Sequence, residues 1–294
     1  MGMANGYWNP SEAVLCYFVA WASLRVKPAT VRTYLCGIRN AHLAIGLRDP
    51  TSPGVYLKRA MKELAVQLGD STKKRLSITT PLLKRVLRLI DVRSHNGRCL
   101  RAALALGVFL LLRVGELTGV GTFGLLRCDW KFSQIMGSLR LRRSKYDQMR
   151  QGIFLGCFPT LCEVCALKEM ERYVTCSRVQ LRPEGPLFML EDGSQLIAAG
   201  FKRACDNLFS LLGFKAGDFS GISVRKGGAL SMALAGVPDR VIRGTGRWKG
   251  WCYDRYICLT AGAVARAHAA MGALADKASC GDALPAADVW HVLE

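Results

Sequence analysis

The chain has 294 residues, half of them hydrophobic, which is enough apolar material for one large domain or two ordinary ones and excludes general disorder. Its 41 basic and 22 acidic side chains give a net charge of +19, which points to a polyanionic partner, because Lys and Arg displace counterions condensed on phosphate. The longest apolar run, Ala102 to Leu112, is too short to span a bilayer, and the first six residues lack both a signal-peptide pattern and the Ser or Thr of a myristoylation site, so no membrane is expected as a partner.

Residues 10–68 read as three short amphipathic helices. Ser11 caps the first, which ends near Leu24, and Thr30 caps a second from Val31 to about Ala44. On a helical wheel Val31, Tyr34, Leu35, Ile38, Ala41 and His42 share one side, and Arg32, Thr33, Arg39 and Asn40 the other. Asp49-Pro-Thr-Ser-Pro53 breaks the pattern, and a third helix runs from about Gly54 to Leu68. Residues 1–78 hold 11 basic and 4 acidic side chains, a net of +7. The face with Arg32, Thr33 and Arg39 is therefore a candidate contact for a DNA backbone, with an ordinary solvated face as the alternative. Asp70-Ser-Thr-Lys-Lys-Arg75 has the composition of a linker, and its Lys73, Lys74 and Arg75 could cross a duplex.

Thr79 or Thr80 caps a helix through Ile90, with Pro81 in the first turn, and a long apolar helix follows from about Arg98 to Leu117. From Gly137 to Leu155 the period changes to two, and a β-hairpin is expected around a polar turn closed by Gly152. Helical periodicity returns at Leu161 to Tyr173, Leu196 to Leu212 and Ser223 to Ala235. The Ala-rich end, from Ala261, is expected to be helical at first and a looser tail after Cys280. Twelve cysteines suggest free thiols in a reducing compartment. Cys162-Glu-Val-Cys165 has Cys157 and Cys176 nearby but no histidine and no second pair at zinc-finger spacing, so these read as small buried hydrophobes and no metal is expected.

Four residues in separate segments have the chemistry of metal-free phosphodiester cleavage. Such a reaction needs a nucleophile, cations on the non-bridging oxygens, and an acid for the leaving 5′ oxygen. Arg113 ends the apolar helix, where a charge is costly without a partner, and Glu116 could hold it as a simple helix pair or as part of a site. Arg225 lies two residues past Ser223, read as an N-cap, so the helix N-terminus would add positive charge there; a solvated first-turn arginine is the alternative. Lys145 sits in the basic hairpin with Arg142 and Arg143, where it could act as an acid or merely touch phosphate. Tyr253 and Tyr256 are both candidate nucleophiles, with core packing as the bland reading of either.

In this order Arg113, Lys145, Arg225 and Tyr256 resemble the catalytic set of the tyrosine recombinases (phage integrases), and Thr30-Val-Arg-Thr-Tyr-Leu-Cys-Gly-Ile-Arg39 resembles their core-binding domain. The words Gly236-Val-Pro-Asp and Gly246-Arg-Trp248 are similar to the branch found in DIRS-type retrotransposons and cryptons. The resemblance implies a mainly α fold with a small β-sheet. A helical core-binding domain (1–69), a basic linker (70–78), a catalytic domain (79–275) and a tail (276–294) would form a C-shaped clamp on double-stranded DNA. It implies strand cleavage and rejoining through a 3′-phosphotyrosine with no cofactor, a homotetramer on paired sites, subunit exchange through the segment after Tyr256, and a nucleus (cytoplasm in a prokaryotic host). Arg113 and Arg225 would stabilise the transition state, Lys145 protonate the leaving oxygen, and Arg247 and Trp248 compete for the third-motif position.

One position departs from the family pattern. Where members carry histidine three residues before the second arginine, this chain has Ile222. A weakened enzyme, an inactive DNA-binding relic, and a type IB topoisomerase-like nicking and resealing enzyme all remain compatible with the sequence.

Overall fold

The computed structural model describes residues 9–52, 54–69, 75–119, 124–142, 152–160 and 162–248. Lys73, Lys74, Arg143, Lys145, Tyr253, Tyr256 and the C-terminal segment therefore lie outside the described residues. The chain divides into two compact units, Met1–Lys74 and Arg75–Glu294.

The first unit is three helices, α1 (Glu12–Ser23), α2 (Pro28–Ala44) and α3 (Val55–Leu68). Ser11 caps α1 as expected, accepting the Val14 N–H at 3.4 Å. The start of α2 is corrected: the helix opens at Pro28 after extended Lys27, and Thr30 lies inside its first turn. Proline begins the helix because its preset φ suits the first turn and its missing N–H is not needed there. Leu15, Val19 and Ala22 pack with Val31 and Leu35 and with Leu57, Met61 and Leu64 to form one small core. Tyr34 and Ala41, expected on the inner side of α2, are exposed at its edges.

The second unit opens with a strap tied to the helix that carries Arg225. The Leu76 N–H donates to Asp218 O at 2.8 Å and the Ile78 N–H to Ser223 O at 3.0 Å, while Lys226 Nζ donates to Arg75 O at 3.0 Å. Ile78 is fully buried. Residues 75–78, expected to belong to a linker, are thus packed into the second unit. Helix α4 (Thr80–Leu89) follows, and Ser231 Oγ accepts its first N–H at 2.9 Å.

The single apolar helix expected from Arg98 to Leu117 is two helices, α5 (His95–Phe109) and α6 (Val114–Leu117). Leu111 takes the left-handed conformation, φ 48°, and the Leu112 N–H reaches back to Gly107 O at 2.9 Å. That is a helix-ending turn normally built on glycine. From Arg101 to Val108 every residue of α5 is buried, as expected of a helix whose C-terminal half is apolar on all sides. Its two inward charges are partnered. Arg101 donates to both carboxylate oxygens of Glu169 at 2.8 and 2.6 Å, and Arg98 caps the carbonyls of Arg93 and Cys176 at 2.7 Å each.

The hairpin is present as β2 (Gly137–Leu141) and β3 (Ile153–Cys157), and β1 (Trp130–Phe132) adds a third antiparallel strand beside β2. Three residues are too few to show alternation, which hid β1 in the sequence. Leu139 pairs with both Trp130 and Leu155, so one sheet face joins the core. Helices α7 (Ala166–Thr175), α8 (Ala198–Leu211), α9 (Gly221–Leu234) and α10 (Asp239–Gly246) complete the described residues. The N-cap of α9 is Ser220, whose N–H donates to Ser223 Oγ at 2.9 Å; Ser223 sits inside the first turn. Arg225 accordingly lies in the second turn, away from the unpaired N–H groups that a Ser223 cap would have placed beside it.

Three glycines set how closely α9 approaches its neighbours. A Cβ on Gly228 would overlap Val108 O, one on Gly227 would overlap the Ile78 backbone, and one on Gly107 would press Leu117 and Val224. Two of these obstacles are backbone, which has little room to yield. Gly228→Ala is therefore expected to lower the unfolding free energy by about 2 kcal/mol or more, an overpacking cost. Gly200→Ala, in α8 with nothing near the added methyl, is expected to be neutral or to stabilise by up to about 1 kcal/mol. Urea unfolding of the two variants checks the contrast.

Candidate active site

Arg113 begins α6 in extended conformation, φ −76° and ψ 146°. Glu116 serves it twice: its Oε2 accepts the Arg113 N–H at 2.8 Å, and its Oε1 accepts Arg113 Nη1 at 2.7 Å. The α5–α6 break makes this possible, because a continuous helix would have committed the Arg113 N–H to the preceding turn. The expected Arg113–Glu116 pair is thus a helix start in which one carboxylate fixes both backbone and guanidinium.

Arg225 reaches the same carboxylate from α9, with Nη1 at 4.0 Å from Glu116 Oε2 and a side chain only 3% exposed. Its Nη2 donates to Gly246 O, and its guanidinium lies 4.6 Å from the centre of the Trp248 ring. A buried guanidinium over an indole face is held by the ring quadrupole. Gly246 is required here, since a Cβ would overlap Trp248.

Arg247 is the third arginine on Glu116, donating from Nη2 to Oε2 at 2.7 Å. It also donates to Leu110 O, Leu111 O and Thr245 O, each at 3.3 Å. Its backbone ends α10 in the left-handed region, φ 57° and ψ 40°. Leu111 and Arg247 are the two non-glycine residues with positive φ among the described residues, and the side chain of one holds the carbonyl of the other. Strained backbone persists where its surroundings over-determine it, and such places cluster at functional sites. Burial lowers the Arg247 pKa; Glu116 opposes the shift and the charge of Arg113 adds to it. Both candidates for the third-motif position therefore come to the site. Arg247 points inward to Glu116, and Trp248 packs beneath Arg225 against Leu111, Ala229 and Ile242.

Three guanidiniums from three separate segments thus face one carboxylate in a largely buried place. Such preorganised charge suits an anionic group whose charge grows during reaction. Ile222, one turn before Arg225, is 44% exposed and offers no proton. The two described histidines are used elsewhere. His42 sits on Ile38 O in the first unit, and His95 lies between Met189 O and the Arg178 N–H.

The other expected DNA contacts are distributed differently. Arg142 is held by Asp129 at 2.7 Å and Cys128 at 3.0 Å, and the Asp129 carboxylate raises its pKa. Arg39 pairs with Asp49 at 2.9 Å, while Arg32 and Thr33 lie on the exposed face of α2, the Thr33 hydroxyl donating to Ala29 O. Of the cysteines expected to be buried, Cys157 and Cys165 are, but Cys162 and Cys176 are exposed because they fall in turns flanking α7. Among the described residues no three His, Cys, Asp or Glu side chains group to hold a metal ion, and no helix is long and apolar enough to cross a membrane. The sequence pattern does not disclose the Gly246 carbonyl or the Leu111 turn. Neither announces itself by residue type; Arg-Trp after Gly246 was the available signal.

No family model and no curated protein matches the sequence. Solved structures do. The Tn1549 transposon integrase (residues 82–397, with circular intermediate DNA) matches over 88% of this chain and 85% of its own, with a TM-score of 0.60 at 15% identity. XerH site-specific recombinase on palindromic difH substrate matches over 95% and 74%, TM-score 0.59, at 14% identity. A lambda integrase dimer bound to a COC′ core site matches over 87% and 82%, TM-score 0.55, at 15% identity. Mainly helical, with one small three-stranded antiparallel sheet, the chain has the fold of these tyrosine recombinases.

Proposed function

We propose that this protein is a tyrosine-type DNA strand transferase, a recombinase or integrase of a mobile element. The observation that carries the reading is the convergence of Arg113 and Arg225, far apart in the chain, on Glu116. The fold supports it, because the neighbours named above are integrases and recombinases in DNA complexes. In the proposed reaction the Tyr256 oxygen attacks the scissile phosphorus and the bond to the 5′ oxygen breaks. Lys145 gives that oxygen a proton, and Arg113 and Arg225 hold the non-bridging oxygens. The bond energy stays in the 3′-phosphotyrosine, so rejoining reverses the same steps. Gly236-Val-Pro-Asp and Gly246-Arg-Trp support placing the element in the DIRS and crypton branch, from which a nuclear site of action follows. Recombination between two duplexes, with one nucleophile per cleaved strand, calls for a tetramer on paired sites.

A second reading has its own observation. Ile222 leaves the site without the proton-transfer group the family uses, as expected of a DNA-binding relic that no longer cuts. The two readings part on covalent attachment.

Incubation with nicked or bridging-phosphorothiolate duplexes from a randomised pool, in EDTA, is expected to give an SDS-resistant protein–DNA band. The band is expected to disappear in Tyr256→Phe while salt-sensitive duplex binding persists. An undiminished band in that variant moves the nucleophile to another residue, and no band from the parent chain establishes the relic. Ile222→His is expected to raise the initial rate of adduct formation by about a hundredfold if proton transfer limits it. An unchanged rate removes that explanation. Glu116→Gln leaves buried guanidiniums without their shared anion, so about 3 kcal/mol of stability is expected to go. Urea unfolding reads that loss, and adduct yield at low temperature, where the variant stays folded, is expected to fall more than tenfold.

A further inference from the structure

Three cysteines, Cys157, Cys162 and Cys165, lie along the connection between β3 and α7. Cys157 ends β3 and is buried, its thiol pushed up to about 12 by burial and by the neighbouring Cys165. Cys165 immediately precedes α7 and is 4% exposed. Its sulfur accepts the Thr160 N–H at 3.4 Å and faces the N–H groups of Lys168 and Leu167 in the first turn of the helix. Burial pushes this thiol up, but those N–H groups and the Thr160 hydroxyl outweigh it and leave the pKa below its ordinary value. Cys162 is exposed, and its Sγ lies 3.6 Å from Thr160 Oγ1 while donating to Val164 O at 3.3 Å. Two sulfurs thus rest on the same residue, Thr160, one at its N–H and one at its hydroxyl. Between them Glu163 anchors the turn to α4 through Lys84 at 2.6 Å and Arg88 at 2.7 Å.

We propose that Cys162 and Cys165 are a modification site, a dithiol that a hydroperoxide converts reversibly to a disulfide. The roles follow from position. Cys162 meets the oxidant because it is exposed: its sulfur attacks the O–O bond, becomes a sulfenic acid and releases water. The Cys165 thiolate then attacks the Cys162 sulfur and expels its oxygen as hydroxide, which takes up a proton. Across both steps two thiols lose two electrons and two protons, and one hydrogen peroxide becomes two waters. The attack on the sulfenic acid belongs to Cys165 and not Cys157, because Thr160 holds the Cys165 and Cys162 sulfurs on one residue while burial keeps the Cys157 thiol protonated.

The test uses the full chain, a slight excess of hydrogen peroxide near neutral pH, alkylation of remaining thiols and peptide mass spectrometry. The peptide spanning Cys162 and Cys165 is expected to escape alkylation at both sulfurs and to lie about 2 Da below the dithiol mass. Dithiothreitol should restore it. Cys157→Ser is expected to leave this product intact, and Cys162→Ser, at an exposed position where folding is not at risk, to abolish it. A Cys157–Cys165 crosslink in the parent chain overturns the assignment. So does continued alkylation of Cys162 and Cys165 while other exposed cysteines, such as Cys36 or Cys176, oxidise.

Discussion

One carboxylate organises the second unit's chemistry. Glu116 starts α6 by accepting the Arg113 N–H, fixes the Arg113 guanidinium with its other oxygen, binds Arg247 and stands 4.0 Å from Arg225. Taken singly, each contact is a modest charge-assisted hydrogen bond. Together they decide where three positive charges stand, since guanidiniums brought this close repel one another unless an anion lies between them. The carboxylate therefore lets the three positive charges gather in one place.

The fold around Glu116 serves the same end. Ending α5 at a left-handed leucine turns the chain so that Arg113 leaves the core and enters α6. Glycines at 107, 227 and 228 bring α9 against α5 and the 75–78 strap, which places Arg225 opposite that turn. At the end of α10 the left-handed Arg247 turns back, holding Leu110 and Leu111 by their carbonyls, while Trp248 fills the space under Arg225. Packing and electrostatics cannot be separated here. Without the close glycine contacts the arginines would sit too far apart to share an anion, and without the anion their approach would be opposed.

Period and caps made much of this legible in the sequence. The amphipathic helices, the Ser11 cap and the hairpin follow from local residue chemistry, and Arg113, Glu116, Arg225, Arg247 and Trp248 were all recognisable as site candidates. What stayed hidden depends on tertiary contact. The α5–α6 break falls in unbroken apolar sequence with no glycine or proline at the turn, so nothing local predicts it. Strand β1 is too short for alternation, and Ser220 and Ser223 are both good caps by type, distinguished only by which N–H finds which hydroxyl. The Arg142–Asp129 pair stayed hidden because the two residues are 13 apart in sequence and meet only where β1 and β2 lie side by side.

Ile222 sets the remaining question, and magnitudes order the answer. Enzymes accelerate their reactions by about a millionfold or far more, and preorganised charge is usually the largest contribution. A missing proton-transfer group costs about a hundred- to ten-thousandfold. The Glu116-centred arginines do not depend on residue 222: none of the hydrogen bonds described for Arg113, Arg225 or Arg247 involves that side chain. In the proposed reaction the absent histidine would therefore subtract from catalysis without dismantling the arginine cluster. A residue 44% exposed beside that charge is also reachable by water, which can relay a proton where a side chain does not. Under that proposal a slow strand transferase is favoured over an inert one.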